Sequence, residues 1–323
     1  MENPKVIIVD CDHANIDPEH EVLTGAGIPY KRLQCNTQEE AIAQCQGAVV
    51  FINQYLKMDE NIFKNIPSLK HVVRYGVGVD NVNLADATKY GVQVTNVPDY
   101  GINEVADHSL ALMLCLTRKV SFLNRRVHEG VWKYSEAMPI MRLVESTVGV
   151  IGLGRIGTAF AKRAKALGCR VVGYDKAIGA PGFTVPDFVE AVDSLEQLLA
   201  QSDVVSLHST LDDSNKNMIN AQSIAKMKDG AFIVNTSRGG LIDEAALVDA
   251  IKSGKLGGAG LDVAVKEPIQ TDHPLLAFDN VIITPHVGWH SGEAAKELKR
   301  KCAEDAVNFV TGKPVRYPVN KLA

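Results

Sequence analysis

VGVIGLGRIGTAFAKRAKALGCRVVGYD, running from Val148 to Asp175, carries a strand, a glycine turn, a helix and a second strand that ends in an acid. Val148, Val150 and Ile151 form a short apolar run suited to a strand buried on both faces. Gly152, Gly154 and Gly157 follow it as G-x-G-x-x-G. The first allows the tight turn, the second lets backbone approach a pyrophosphate, and the third lets helix and strand pack closely. Ile156, Phe160, Ala164 and Leu167 then recur at helical spacing, with Lys162, Arg163 and Lys165 on the other face, which predicts an amphipathic helix. Gly168 ends it, and Arg170 to Tyr174 predict a strand delivering Asp175 at its carboxyl end. A carboxylate there accepts from adenosine ribose hydroxyls and repels a 2′-phosphate, so NAD is favoured over NADP, and Lys176 next door softens that preference. A glycine triplet alone can serve packing only. With strand, helix and acid in place it predicts a nucleotide site.

At 323 residues the chain is long enough for about two domains. Hydrophobic content of 46% and charged content of 22% place it among ordinary globular proteins. A net charge of −4 gives no electrostatic reason to expect nucleic acid or an anionic membrane, and the basic run Lys296 to Lys301 reads as the solvated face of a helix. The six cysteines show no CxxC pairing and no metal-ligand spacing with histidine, so no metal is expected. They read as reduced thiols, with Cys115 and Cys169 in the core. The start MENPKVIIVD is charged and leads straight into a strand, and no stretch approaches the roughly 18 apolar residues of a membrane span. The expected location is cytoplasmic.

Ahead of the glycine motif, Lys5 to Asp10, Tyr30 to Leu33, Ala48 to Ile52, His71 to Arg74 and Val92 to Val94 read as strands. Helical segments at Pro18 to Gly25, at Thr37 to Cys45 and between Met58 and Pro67 separate them, the pattern of a parallel sheet covered by helices. Arg74 to Asn81 (RYGVGVDN) puts two glycines after a buried strand, where backbone amides can hold a small carboxylate; a plain turn is the other reading. Asn103 to Lys119 predicts a long helix capped by Asn103, with Glu104 and Asp107 at its positive end. Leu110 to Leu116 is apolar nearly all round, which suggests a bridge between domains and, with Trp132, a dimer interface, or else a helix buried within one monomer. His108 reads as a hydrogen-bonded structural histidine.

Asp203 to His208, Ala231 to Asn235, Gly258 to Val263 and Val281 to Thr284 predict further strands, with helices near Ser194 to Gln201, Ala221 to Met227 and Asp243 to Ser253, giving an open sheet of six or more. Ligands of such sheets lie beyond the carboxyl ends of the strands. Arg238, Glu267 and His286 stand at three of those ends, one unit apart. Singly they read as a surface cation, a loop acid and a turn residue. Together an arginine can grip a carboxylate, a histidine can give a proton to an oxygen whose carbon receives hydride, and a glutamate can orient and charge that histidine.

RYGVGVDNV, NEVADHSLALML, VGVIGLGRIG, NTSRGGLID, GAGLDVAVKEP and ITPHVGW, in this order over nearly the whole chain, resemble the D-isomer-specific 2-hydroxyacid dehydrogenases. The resemblance implies an α/β protein of two Rossmann-like doubly wound parallel-sheet domains with the active-site cleft between them. Residues 1–100 with 290–323 would form a flavodoxin-like substrate-binding domain, and 101–289 the NAD-binding Rossmann domain. It implies Arg238, Glu267 and His286 as the catalytic set, and NAD held by Gly152, Gly154, Arg155, Ile156, Gly157, Asp175, His208, Thr210, Thr236, Asp262 and Gly288. Of these, Asp262 would meet the nicotinamide amide. Val77 and Gly78 would offer amides to the substrate carboxylate, with Arg74 contacting substrate and Tyr75, Tyr100 and Trp289 lining its substituent pocket. The expected reaction is hydride transfer between NADH and C2 of a small 2-oxo acid, by a homodimer. His286-Val287-Gly288-Trp289 and the segment after it are most similar to the branch that includes the C-terminal binding proteins, so an NADH-responsive binding protein is one alternative. Phosphoglycerate dehydrogenase of serine synthesis is another, although the chain stops at Ala323 without an added regulatory domain.

Overall fold

Apolar runs separated by helices fold into two all-parallel sheets, one in each of two units, in a computed structural model that describes residues 5–322. The units are Met1–Gly101 with Ser291–Ala323, and Ile102–His290.

The first unit begins as β1 (Val6–Ile8), α1 (Asp17–Gly25), β2 (Tyr30–Arg32), α2 (Gln38–Gln44), β3 (Val50–Asn53), α3 (Glu60–Asn65), β4 (His71–Arg74), α4 (Leu84–Lys89) and β5 (Gln93–Thr95). Its strands lie in the order β2-β1-β3-β4-β5. β1 and β3 are buried along their whole length, which is why they read as unbroken apolar runs rather than alternating ones. Thr37, Asp59 and Asn83 accept from first-turn N–H groups and set where α2, α3 and α4 start. The polar segment of α4 buries only Ala87, so it offers no helical periodicity to read.

The second unit runs α5 (Ile102–Thr117), α6 (Val120–His128), β6 (Thr147–Ile151), α7 (Arg155–Ala166), β7 (Arg170–Tyr174), β8 (Glu190–Ala191), α8 (Leu195–Gln201), β9 (Val204–Leu207), α9 (Ala221–Ala225), β10 (Ala231–Asn235), α10 (Glu244–Lys252), β11 (Leu256–Leu261) and β12 (Val281–Ile283). Strand order is β12-β11-β10-β9-β6-β7-β8. β6 pairs with β7 on one side and β9 on the other, so the chain reverses its direction of travel across the sheet there. That reversal places the glycine turn at the topological switch point, where ligands of such sheets bind.

α5 starts one residue before Asn103, which is therefore not its cap; Asn103 Oδ1 accepts from Arg163 Nη2 at 3.1 Å. Burial of α5 is one-sided. Ala106, Ser109, Leu112, Met113, Leu116 and Thr117 face α7, β10 and β11, while Cys115 is only half-buried. α11 (Gly292–Val310), capped by Ser291, returns to the first unit and packs on α1, β3 and β4. The run Lys296 to Lys301 is not a solvated face. Lys299 is buried with its Nζ donating to Asn15 O at 2.8 Å, and Lys301 is buried between Asp99 at 2.8 Å and Glu297 at 2.6 Å. Among the described residues no helix is long and apolar enough to cross a membrane, and no three metal-ligating side chains converge.

Candidate active site

β6 delivers the chain into Gly152 at φ 92°, and a Cβ there would sit 2.7 Å from the His208 carbonyl carbon. Gly157 is closed from the helix side, since its Cβ would lie 1.9 Å from the Gly152 oxygen. Gly154 differs: a Cβ there would meet no protein atom within 4 Å. Two glycines serve turn and packing, and the middle one keeps a space clear at the start of α7. That helix has no side-chain cap, since glycine stands at its cap position. The space and the positive end of the helix dipole suit an anion such as a pyrophosphate.

Asp175 stands just past β7, one oxygen accepting from Leu153 N at 2.8 Å and the other from Ala177 N at 2.9 Å. The carboxylate is locked to the glycine loop, and each oxygen keeps a lone pair for a ribose hydroxyl. Lys176 does not offset it, because it donates to Asp212 at 2.6 Å and, with Ser214, holds that carboxyl down at about 2.

Two expected cofactor contacts already have partners within the protein. His208 lies beneath the glycine loop: its Nε2 meets Ser206 Oγ at 2.8 Å, its ring lies 5.0 Å from that of Phe160, and its Nδ1 is buried without a partner among the described residues. Thr236 Oγ1 meets Ser109 Oγ at 2.8 Å, while Thr210 is exposed. Burial pushes the His208 pKa down to about 3. The folded state resists a proton that the unfolded chain takes up near 6.5, so stability is full above that pH. It falls as pH drops toward 3, by about 1.4 kcal/mol per pH unit. His208→Gln is expected to shrink the loss of unfolding free energy between pH 7 and pH 5 by about 2 kcal/mol in urea titrations.

β10, β11 and β12 end side by side, with Asn235 opposite Leu261 and Leu261 opposite Ile283, and the catalytic candidates follow them. His286 Nδ1 lies 2.8 Å from Glu267 Oε2, and Glu267 Oε1 accepts from Ala264 N at 3.0 Å. Burial pushes the Glu267 carboxyl up. The bond and charge of His286, the Ala264 N–H and the charge of Arg238 outweigh it and hold the carboxyl below its usual range. An ionised Glu267 can only accept, so Nδ1 carries the proton of that bond. Arg238 is half-buried, with Nη1 donating to Ser237 O at 2.8 Å and its carbonyl accepting from Asn235 Nδ2 at 2.9 Å.

His286 stands at φ 54°, a left-handed conformation that costs a residue with a Cβ about 1–2 kcal/mol. Asp262 holds it there. One oxygen accepts from Thr284 Oγ1 at 2.6 Å and Val287 N at 2.9 Å, the other from Gly288 N at 2.8 Å. The strained residue is thus bracketed by bonds to a single carboxylate. His108 Nε2 adds contacts at 2.9 Å to Thr284 Oγ1 and 3.4 Å to Asp262. Asp262 is 2% exposed; burial pushes its carboxyl up, and these four donors bring it below the usual range. Asp262 thus braces the His286 loop, while its Oδ2, which accepts only from Gly288 N, keeps acceptor capacity for the expected nicotinamide amide. Sequence reasoning missed that role because Asp262 and its partners are more than twenty residues apart.

In the first unit the corresponding strand ends carry a chain of hydrogen bonds. Asp10 accepts from Asn53 Nδ2 at 3.0 Å, Asn53 Oδ1 from Asn81 Nδ2 at 2.8 Å, and Asn81 Oδ1 from Arg74 Nε at 3.0 Å; Arg74 also donates to the Tyr75 carbonyl. Past Gly76, at φ 134°, Val77 and Gly78 are half-buried and their N–H groups meet no acceptor among the described residues. Tyr75 cannot line a substituent pocket. Its ring is buried beneath α1, where the phenol donates to Glu19 Oε1 at 2.6 Å. Tyr100 and, in the second unit, Trp289 are half-buried. The tyrosine exposed beyond β3 is Tyr55, donating to Asp12 Oδ2 at 3.0 Å.

Residues 110–288 match the family model described as D-isomer specific 2-hydroxyacid dehydrogenase, NAD binding domain. The chain is 36% identical over 327 residues to a hydroxypyruvate reductase of Blautia hydrogenotrophica, covering 98% of this chain and all of that one. It is 41% identical to a D-3-phosphoglycerate dehydrogenase of Archaeoglobus fulgidus over 84% of its own length but spans about half (51%) of that protein. The crystal structure of a D-lactate dehydrogenase from Aquifex aeolicus, complexed with NAD and lactic acid, superposes with a TM-score of 0.86 at 29% identity, over 95% of this chain and 96% of the other.

Proposed function

The chain belongs to the D-isomer-specific 2-hydroxyacid dehydrogenase family, and on that premise we propose that it is an NADH-dependent reductase of small 2-oxo acids that yields (R)-2-hydroxy acids. The observation that carries this reading is the Glu267–His286 pair at 2.8 Å, which engages one ring nitrogen and leaves the other for substrate. Gly154, Arg155, Ile156 and Asp175 would hold the dinucleotide, which when bound supplies the hydride for C2. Arg238 would orient the acid and polarise its oxo group. His286 Nε2 gives the oxygen its proton, and the Glu267 carboxylate stabilises the imidazolium beforehand. In oxidation the same nitrogen takes the proton back.

Trp289, half-buried three residues beyond His286, favours an apolar or aromatic substituent. A phosphate would need another cation, and Arg74 is already donating to Asn81 and to the Tyr75 carbonyl. NADH oxidation should therefore show kcat/KM on an arylpyruvate at least about tenfold above that on phosphohydroxypyruvate. Pyruvate, glyoxylate, hydroxypyruvate and branched-chain 2-oxo acids complete the panel. A strong preference for the phosphate would replace this reading by that of a phosphoglycerate dehydrogenase, which the likeness to the Archaeoglobus protein supports. We also take the enzyme to be a homodimer joined through the second unit, where Val120, Trp132, Tyr134 and Met138 are exposed, Trp132 to 89%. Six unpaired cysteines fit a reducing, cytoplasmic setting.

A further inference from the structure

Glu244, the first residue of α10, has no place in the reaction described so far, and α10 does not need it as a cap. Asp243 already accepts from the Ala245 and Ala246 N–H groups at the helix start. The Glu244 carboxylate points instead at two other segments. One oxygen accepts from Val265 N at 2.8 Å, and the other lies 3.3 Å from His273 Nε2. The ring of His273 is oriented from its far side, because Nδ1 accepts from Leu275 N at 3.3 Å and so leaves the proton on Nε2, facing Glu244. Both side chains are about four-fifths buried, at 22% and 19% exposed, so the contact is shielded from competing water.

These bonds join three stretches of backbone. Glu244 lies six residues beyond Arg238, Val265 lies in the loop that bears Glu267, and His273 opens the short helical turn Pro274–Ala277 that follows. Packing ties the first two as well, since a Cβ on Gly239 would fall 2.0 Å from the Ala264 carbonyl carbon. The Ala264 N–H is in turn the second donor to Glu267. Loop 263–267 is therefore held between Glu244 on one side and its own catalytic glutamate on the other.

We propose that Glu244 is a positioning residue for the reaction: its carboxylate, steered by His273, fixes the loop that presents Glu267 to His286. This rests on the reading of His286 as the proton donor. A loosened loop leaves Glu267 less well aligned with the imidazolium, so the acid form is lost at lower pH while the groups that bind the substrate carboxylate are unaffected.

The test uses the full-length protein, with NADH and the best 2-oxo acid of the panel. Glu244→Ala is expected to lower kcat about tenfold, to keep KM for the oxo acid within about threefold, and to move the alkaline limb of the kcat/KM profile to lower pH. His273→Asn keeps a capping acceptor for Leu275 and removes only the reach to Glu244, so it should act in the same direction and more weakly. If Glu244→Ala does not fold, His273→Asn decides. Unchanged kcat and an unmoved limb in the folded variants, with Glu267→Gln strongly impaired, would overturn the positioning role and leave the catalytic reading intact. Full activity in both His286→Ala and Glu267→Gln would instead remove the catalytic reading, and the role of Glu244 with it.

Discussion

His286→Ala is expected to lower kcat for 2-oxo acid reduction by about a thousandfold while NADH binds as before. The expectation follows from the ring's position. One nitrogen is bonded to Glu267, and the other is left for the substrate oxygen. The cofactor cradle lies at β6 and β7, whereas His286 follows β12, so removing the ring leaves the cradle untouched. Stopped-flow reduction and NADH fluorescence titration on the same preparation separate the two effects. Retention of more than a tenth of the wild-type kcat would show that the proton comes from elsewhere.

Alanine at Gly154 and at Gly157 should give opposite outcomes despite their being three residues apart. At Gly157 the new carbon would fall 1.9 Å from a backbone oxygen, so helix and turn must separate; the expected result is a loss of about 3 kcal/mol of stability, with NADH binding lost alongside. At Gly154 the new carbon meets no protein atom and φ is −69°, which any residue adopts. Gly154→Ala should therefore melt within a few degrees of the parent yet bind NADH at least about tenfold more weakly, because the methyl takes the room of the pyrophosphate. Thermal melts and fluorescence titrations of the pair check both. Normal NADH affinity in a stable Gly154→Ala would place the pyrophosphate elsewhere.

Strands were legible where burial is symmetrical: His71 to Arg74, Arg170 to Tyr174 and Ala231 to Asn235 fall on the expected residues because apolar runs bounded by polar turns leave little choice. The glycine motif was legible down to the separate work of each glycine, since φ and close approach are local demands. That Arg238, Glu267 and His286 follow consecutive strands was legible, and register brings those strand ends side by side. What stayed hidden depends on partners distant in sequence. Nothing near Tyr75 announces that Glu19 will take its phenol, nothing near Lys299 announces Asn15, and nothing near Asp262 announces a loop that needs holding at positive φ. A short aromatic or charged residue in a turn looks available to a ligand until the tertiary structure assigns it a neighbour.

The return of α11 to the first unit bears on how the chain is made. Elongation from the amino terminus releases the whole second unit before Lys299 exists to reach Asn15 or Cys302 to fill the layer beneath β4. The unit that is synthesised first is thus completed only after the second, and until α11 emerges its β3 and β4 face a gap the size of a nineteen-residue helix. The newborn first unit is the part most exposed to chaperones and proteases, whereas the dinucleotide cradle, built from one continuous stretch, can close while translation is still under way.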